Sequence, residues 1–250
     1  MNWRLIVAAL LLAMPAAAQP ISVLTYHRFD PAQANASTIV TTPVFAAQMD
    51  WLQTHHVQVL RLRDVVDIVD HKAPPVTEPA VAITADDGWR TVYTQMFPII
   101  RKLNLPVTLF INPPTIGHGG AYLTWAQIDE MRASGLVDIE AHTQSHPNFN
   151  DQRAQLTPAA YTAFMDREIA GSRADLLAHG DSGAWLAWPY GINNPALHDA
   201  ASRAGFRAAF ALGSRPVLAD SPLFALPRYQ VYNTDTAPRF AAIVAGQPRH

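Results

Sequence analysis

Val81-Ala82-Ile83-Thr84-Ala85-Asp86-Asp87-Gly88 is an apolar run that ends on two adjacent carboxylates and a glycine. A short apolar run bounded by a turn signal reads as a buried strand, and Gly88 provides the freedom for a tight turn after it. This strand therefore delivers two carboxylates to its own C-terminal end. Outward from it, strands and helices alternate. Ser22 to Tyr26 and Val57 to Leu60 read as strands. Helices are predicted from Thr42-Pro43 to about Thr54, with the Thr42 hydroxyl as N-cap, and from Arg63 to Asp70. Beyond Gly88 a helix to about Leu103, distorted at Pro98, leads to a strand at Val107 to Ile111. Thr124-Trp125-Ala126-Gln127 is a capping box whose helix stops at Gly135, and Leu136 to Ala141 is the next strand. Pro158 to Ala178, Ala184 to Trp188, Pro195 to Ala204 and Ala208 to Leu212 continue the alternation. The repetition predicts an α/β fold whose parallel sheet is closed or nearly closed into a barrel, with its chemistry at the strand C-terminal ends.

A second cluster, His142-Thr143-Gln144-Ser145-His146, follows another predicted strand. Asp87, His142 and His146 together make three protein ligands, the number that leaves a coordination position open in catalytic zinc sites. Asp86 is then free to handle protons. Pro147 disfavours helical geometry at His146. On a straight strand the two histidines would stand ~13 Å apart, too far for one ion, so the chain must bend after the strand. Trp188-Pro189-Tyr190-Gly191 and Thr25-Tyr26-His27 also follow predicted strands, which would bring all four segments to one rim.

The chain has 250 residues, 49% hydrophobic and 15% charged, enough for one well-packed domain, assigned to residues 19–250. A net charge of −2 without a basic cluster argues against a nucleic-acid partner. Cys is absent, which rules out disulfides and thiolate ligands and leaves His and carboxylate to hold any metal. Residues 1–18 carry Arg4, an apolar stretch from Leu5 to Met14 and then Pro15-Ala16-Ala17-Ala18, the order of a secretory signal peptide. Cleavage after Ala18 is expected, leaving a periplasmic or extracellular protein without a membrane span.

Three motifs in order, Thr84 to Gly88, His142 to Asn148 and Trp188 to Gly191, resemble the polysaccharide deacetylases of the NodB-homology family. Leu24-Thr25-Tyr26-His27 is similar to the circularly permuted branch that includes the extracellular poly-β-1,6-N-acetylglucosamine deacetylases. The resemblance implies a distorted (β/α) barrel of about seven parallel strands. It also implies a hydrolase that removes N-acetyl groups from an N-acetylglucosamine polysaccharide and releases acetate. Asp87, His142 and His146 would hold a divalent metal, with Zn²⁺ favoured, Asp86 would be the base and His27 the acid. Where much of the family has an arginine, this chain has Ala187. Arg228 is the candidate to orient Asp86, because a guanidinium can hold a carboxylate bidentately. A backbone N–H near Tyr190 would steady the oxyanion. Trp89, Trp188, Tyr190 and Phe149 are candidate sugar-stacking rings. Ala85 stands where the family is usually aromatic, which is expected to widen the pocket or loosen Asp86. The alternatives are an O-acetyl esterase acting on a glycan and a non-catalytic polysaccharide-binding protein with a relict site. Any coupling to exopolysaccharide synthesis or export machinery is expected to run through separate chains.

Overall fold

The structure is a computed structural model and describes residues 18–248, so the predicted signal segment, apart from Ala18, lies outside it. Ten strands and eight α-helices follow in chain order: β1 Ile21–Tyr26, β2 Arg28–Asp30, β3 Ile39–Thr41, α1 Thr42–Thr54, β4 Gln58–Leu60, α2 Leu62–Val69, β5 Ala80–Asp86, α3 Phe97–Leu103, β6 Val107–Ile111, α4 Trp125–Ala133, β7 Val137–Ala141, α5 Phe149–Gln155, α6 Pro158–Ala178, β8 Trp185–Ala187, α7 Pro195–Ala204, β9 Ala208–Leu212, β10 Leu226–Gln230 and α8 Ala237–Val244.

Seven of these strands close an all-parallel barrel in the order β1-β10-β9-β8-β7-β6-β5 and back to β1. The amino-terminal strand is the closing stave. It pairs along its whole length with β5, from Ile21 opposite Ala80 to Tyr26 opposite Ala85, and with β10 at Leu24 and Thr25. β4 pairs with the first half of β5, ahead of the stretch that pairs with β6, and β2 and β3 form a separate parallel pair. The seam between β7 and β8 is thin, with the single register pair Ala141–Leu186. Because every barrel strand points the same way, their C-terminal ends share one rim. Among the described residues no helix is long and apolar enough to cross a membrane.

Strand side chains alternate between two surroundings. Leu24, Tyr26, Ile83, Ala85, Leu109, Ile139 and Leu186 face the helices in the larger core cluster. Val23, Ala82, Phe110, Ala187 and Phe210 fill the barrel interior, where α2 adds Leu62, Val65 and Val66. Towards the rim the interior turns polar, with Thr25, Thr84, Asp86, His142 and Arg228 all buried. The apolar layers supply the burial free energy, roughly 1.5–3 kcal/mol for each large side chain. They thereby allow this polar layer.

Local expectations met varied outcomes. The capping box forms as read: Gln127 N–H donates to the Thr124 hydroxyl and Gln127 Oε1 accepts from Thr124 N–H. α6, α7 and β9 have the predicted limits. The Thr42 hydroxyl does not cap α1. Thr41 holds the cap position without a side-chain bond, and Thr42 Oγ1 donates to Asp30 O and Gln95 Oε1 instead. The distortion expected at Pro98 falls just ahead of it, as a π-helical stretch Val92–Met96 that ends where Pro98 enters the first turn of α3.

Candidate active site

β5 ends on Asp86, whose inward direction follows from strand alternation. Its carboxylate meets Arg228 from β10 in a two-pronged ion pair: Nη1 donates to Oδ1 and Nη2 to Oδ2, each at 2.8 Å. Arg228 is 1% exposed, so this cation is a buried residue of the barrel interior. It also donates to Thr84 Oγ1 at 3.2 Å and lies 5.2 Å from the centre of the Phe110 ring. Burial alone would raise the Asp86 pKa, but the charges of Arg228 and His142 outweigh it and hold the carboxyl below its ordinary range. Asp86 is therefore ionised in a place where a lone carboxylate would not be.

Asp87 follows at φ 72° and Gly88 at φ 73°. This left-handed turn sends Asp87 out of the strand line. Its Oδ1 lies 3.4 Å from His142 Nε2 and 3.6 Å from His146 Nε2. His142 stands at the end of β7, across the thin seam from β8, and its Nδ1–H donates to Ala187 O at 2.8 Å. That bond anchors the Nδ1 end of the ring and turns Nε2 towards Asp87. The bend required between the histidines is made by Thr143 at φ 66° and His146 at φ 54°, and it brings their ring centres to 4.8 Å. Tyr190, at φ 57°, sets its ring edge on His146 at 4.7 Å. Four of the eight non-glycine residues with positive φ among those described, Asp87, Thr143, His146 and Tyr190, thus meet here. Each costs of order 1–3 kcal/mol, so the surrounding fold must hold them in place.

The donor set suits a divalent metal. One ligand atom each from Asp87, His142 and His146 lie within 4.8 Å of one another. Burial acts to raise Asp87, but the hydrogen bond and charge of His142 prevail and keep it well below the carboxylate range. Burial lowers His146. Burial also acts to lower His142, yet Asp86 and Asp87 raise it overall. The pocket between the two carboxylates therefore favours positive charge, and the donors it offers are ionised carboxylate and imidazole nitrogen.

His27 directly follows β1, and the β1–β5 register continues towards Asp86 at that point. Burial lowers its pKa, opposed by the charges of Asp86 and Asp87, so the resting imidazole is neutral near pH 7. Sequence reasoning missed two supports. Asn112, just past β6, donates from Nδ2 to the carbonyls of His142 and Thr143. Glu168 of α6 accepts from Ser145 N–H at 2.8 Å and Ser145 Oγ at 2.9 Å, clamping the histidine loop. A polar residue at the end of a barrel strand could have betrayed Asn112. Nothing local marks Glu168.

Three expectations are corrected. Trp188 and Phe149 are 0% exposed and cannot stack on a sugar: they pack together, and Trp188 Nε1 donates to Phe224 O. Ala85 faces the helix-side cluster with Tyr26 and Leu109, so its small size opens no space beside Asp86. Trp89, half-buried, stacks on Tyr122 and donates from Nε1 to Asp87 Oδ2 at 2.9 Å. Of the four candidate rings, Tyr190 alone is broadly exposed, at 60%.

Comparison with known proteins agrees with this fold. The chain is 28% identical over 200 residues to the poly-beta-1,6-N-acetyl-D-glucosamine N-deacetylase of Staphylococcus epidermidis, covering 78% of this chain and 68% of that protein. The solved structure of IcaB from Ammonifex degensii superposes with a TM-score of 0.78 at 26% identity, covering 91% of this chain and 98% of that one. The Streptococcus pyogenes deacetylase PplD, solved with acetate, shares the fold at a TM-score of 0.80 and 21% identity over 91% and 99% of the two chains. A sequence model of the family described as polysaccharide deacetylase matches residues 73–209, which contain Asp86, Asp87, His142, His146 and the Trp188 to Gly191 turn. That match spans more than half of the chain, which belongs to the polysaccharide deacetylase family.

Proposed function

We propose that this protein is a secreted, metal-dependent N-deacetylase of poly-N-acetylglucosamine, hydrolysing the acetamide to acetate and a free amine. The observation that carries the reading is the division of labour between neighbouring carboxylates. Asp86 is locked on Arg228 while Asp87 faces two imidazole nitrogens. The glycan class rests on the relative from Staphylococcus epidermidis.

Asp87, His142 and His146 would hold the ion, with Zn²⁺ fitting the N/O donor set. When bound it supplies Lewis acidity towards a carbonyl and towards water. Asp86, ionised through Arg228, takes a proton from the attacking water. His27 delivers a proton to the amine as the C–N bond breaks. One proton taken from water and one given to the amine leave the proton count balanced over the cycle. The Tyr190 backbone N–H would steady charge on the carbonyl oxygen.

The test is acetate release from N-acetylated and from O-acetylated glycans, with and without chelator. Chelator-sensitive release from the N-acetylated polymer supports the reading. Release from the O-acetylated glycan alone would make the protein an esterase.

A further inference from the structure

Asp87 carries two oxygens, and the surroundings treat them differently. Oδ1 faces His142 and His146, while Oδ2 accepts the indole N–H of Trp89 at 2.9 Å. The indole is itself fixed. Trp89 bridges to Tyr122 across a short antiparallel contact, flanked by Arg90 N–H donating to Ala121 O and Leu123 N–H donating to Gly88 O, each at 2.8 Å. Its ring stacks on Tyr122 at 4.7 Å. The Arg28 guanidinium lies 4.6 Å from the ring centre, and Arg28 Nε is buried without a hydrogen-bond partner. A cation against an indole ring draws electron density from it, which makes the N–H a stronger donor to a carboxylate.

We infer that Trp89 is a positioning residue for the metal-ligating carboxylate: its N–H occupies Asp87 Oδ2, so that Asp87 offers the metal a single oxygen, Oδ1. This rests on the reading of Asp87, His142 and His146 as the metal site. It replaces the expectation of Trp89 as a sugar platform. It also links the strand end bearing His27 and Arg28 to the ligand set. Groups that orient a ligand from behind typically change metal affinity about 10- to 100-fold when removed.

The experiment uses the metal-free full chain. Zn²⁺ affinity is measured by competition with a chromophoric chelator, and Co²⁺ absorption reports the coordination. Two replacements are compared: Trp89→Phe, and Trp89→3-benzothienylalanine, which keeps the bicyclic shape but has no N–H. Both should bind Zn²⁺ about 10- to 100-fold more weakly, with a changed visible Co²⁺ spectrum as the second carboxylate oxygen becomes available. Wild-type affinity and spectrum in the benzothienyl variant would overturn the inference, because shape would then suffice. Asp87→Ala is the control. If it too bound Zn²⁺ like wild type, the metal-site reading would have failed; if it lost the metal while the benzothienyl variant did not, only the role of Trp89 would fall.

Discussion

Asp86 and Asp87 are adjacent in the chain yet meet different partners, because a left-handed turn separates the last strand residue from the first loop residue. Asp86 depends on Arg228 for its charge. Arg228→Met should leave a buried, uncompensated carboxylate and destabilise the protein by about 3–5 kcal/mol, measured by denaturant unfolding. The sign of the accompanying pH effect follows from the same pair. A base works ionised, so activity falls as pH drops through its pKa. Arg228 helps to keep that pKa low, and its removal lets the pKa rise. The acid limb of kcat/KM should therefore move to higher pH, and an unmoved limb would detach Arg228 from the base. His27→Ala should keep its metal while turnover falls about 10²- to 10⁴-fold; unchanged turnover would remove the acid role. At this scale the meeting of Asp87 with His142 and His146, and of Asp86 with Arg228, was legible, since residue type and spacing restrict what can gather at one rim. Trp188 and Phe149 were misread because aromatic rings suit a core as well as a sugar, and only packing decides between them.

Elements deliver these residues, and the histidine loop is held from outside itself. Glu168, on the long helix α6, is 6% exposed and accepts both donors of Ser145. Glu168→Ala should cost about 0.5–1.5 kcal/mol through the lost hydrogen bonds to Ser145, and metal affinity should drop with it. Calorimetric unfolding and metal titration check the two effects. At the end of β5, a Cβ on Gly88 would meet Ile116 Cδ1 at 3.0 Å in a left-handed backbone. Gly88→Ala should lower stability by about 1–2 kcal/mol from backbone conformation alone. The helices with clear caps were legible almost to the residue. β10, which carries Arg228, was not, because Pro227 within it is a residue that usually argues against a strand. α5, β2, β3 and α8 are short, which leaves little periodicity to read.

The barrel as a whole brings residues from both ends of the chain to one rim, with β1 and β10 paired as the closing staves. The alternation of strand and helix predicted this architecture. Closure by the amino-terminal strand was not legible, since periodicity does not encode which strands are neighbours. A ligand that binds the folded state alone stabilises it, by about 4 kcal/mol at a thousand times Kd. Saturating Zn²⁺ should therefore raise the melting temperature of the metal-free protein, and Asp87→Ala should abolish that rise. The most direct measurement is acetate release from poly-β-1,6-N-acetylglucosamine by the wild-type protein before chelation, after chelation and after Zn²⁺ is restored. Acetate should appear in step with new free amines, cease on chelation and return with the metal. Acetate release that continues undiminished in the metal-free protein, or no acetate from the metal-loaded one, would contradict a metal-dependent N-deacetylase.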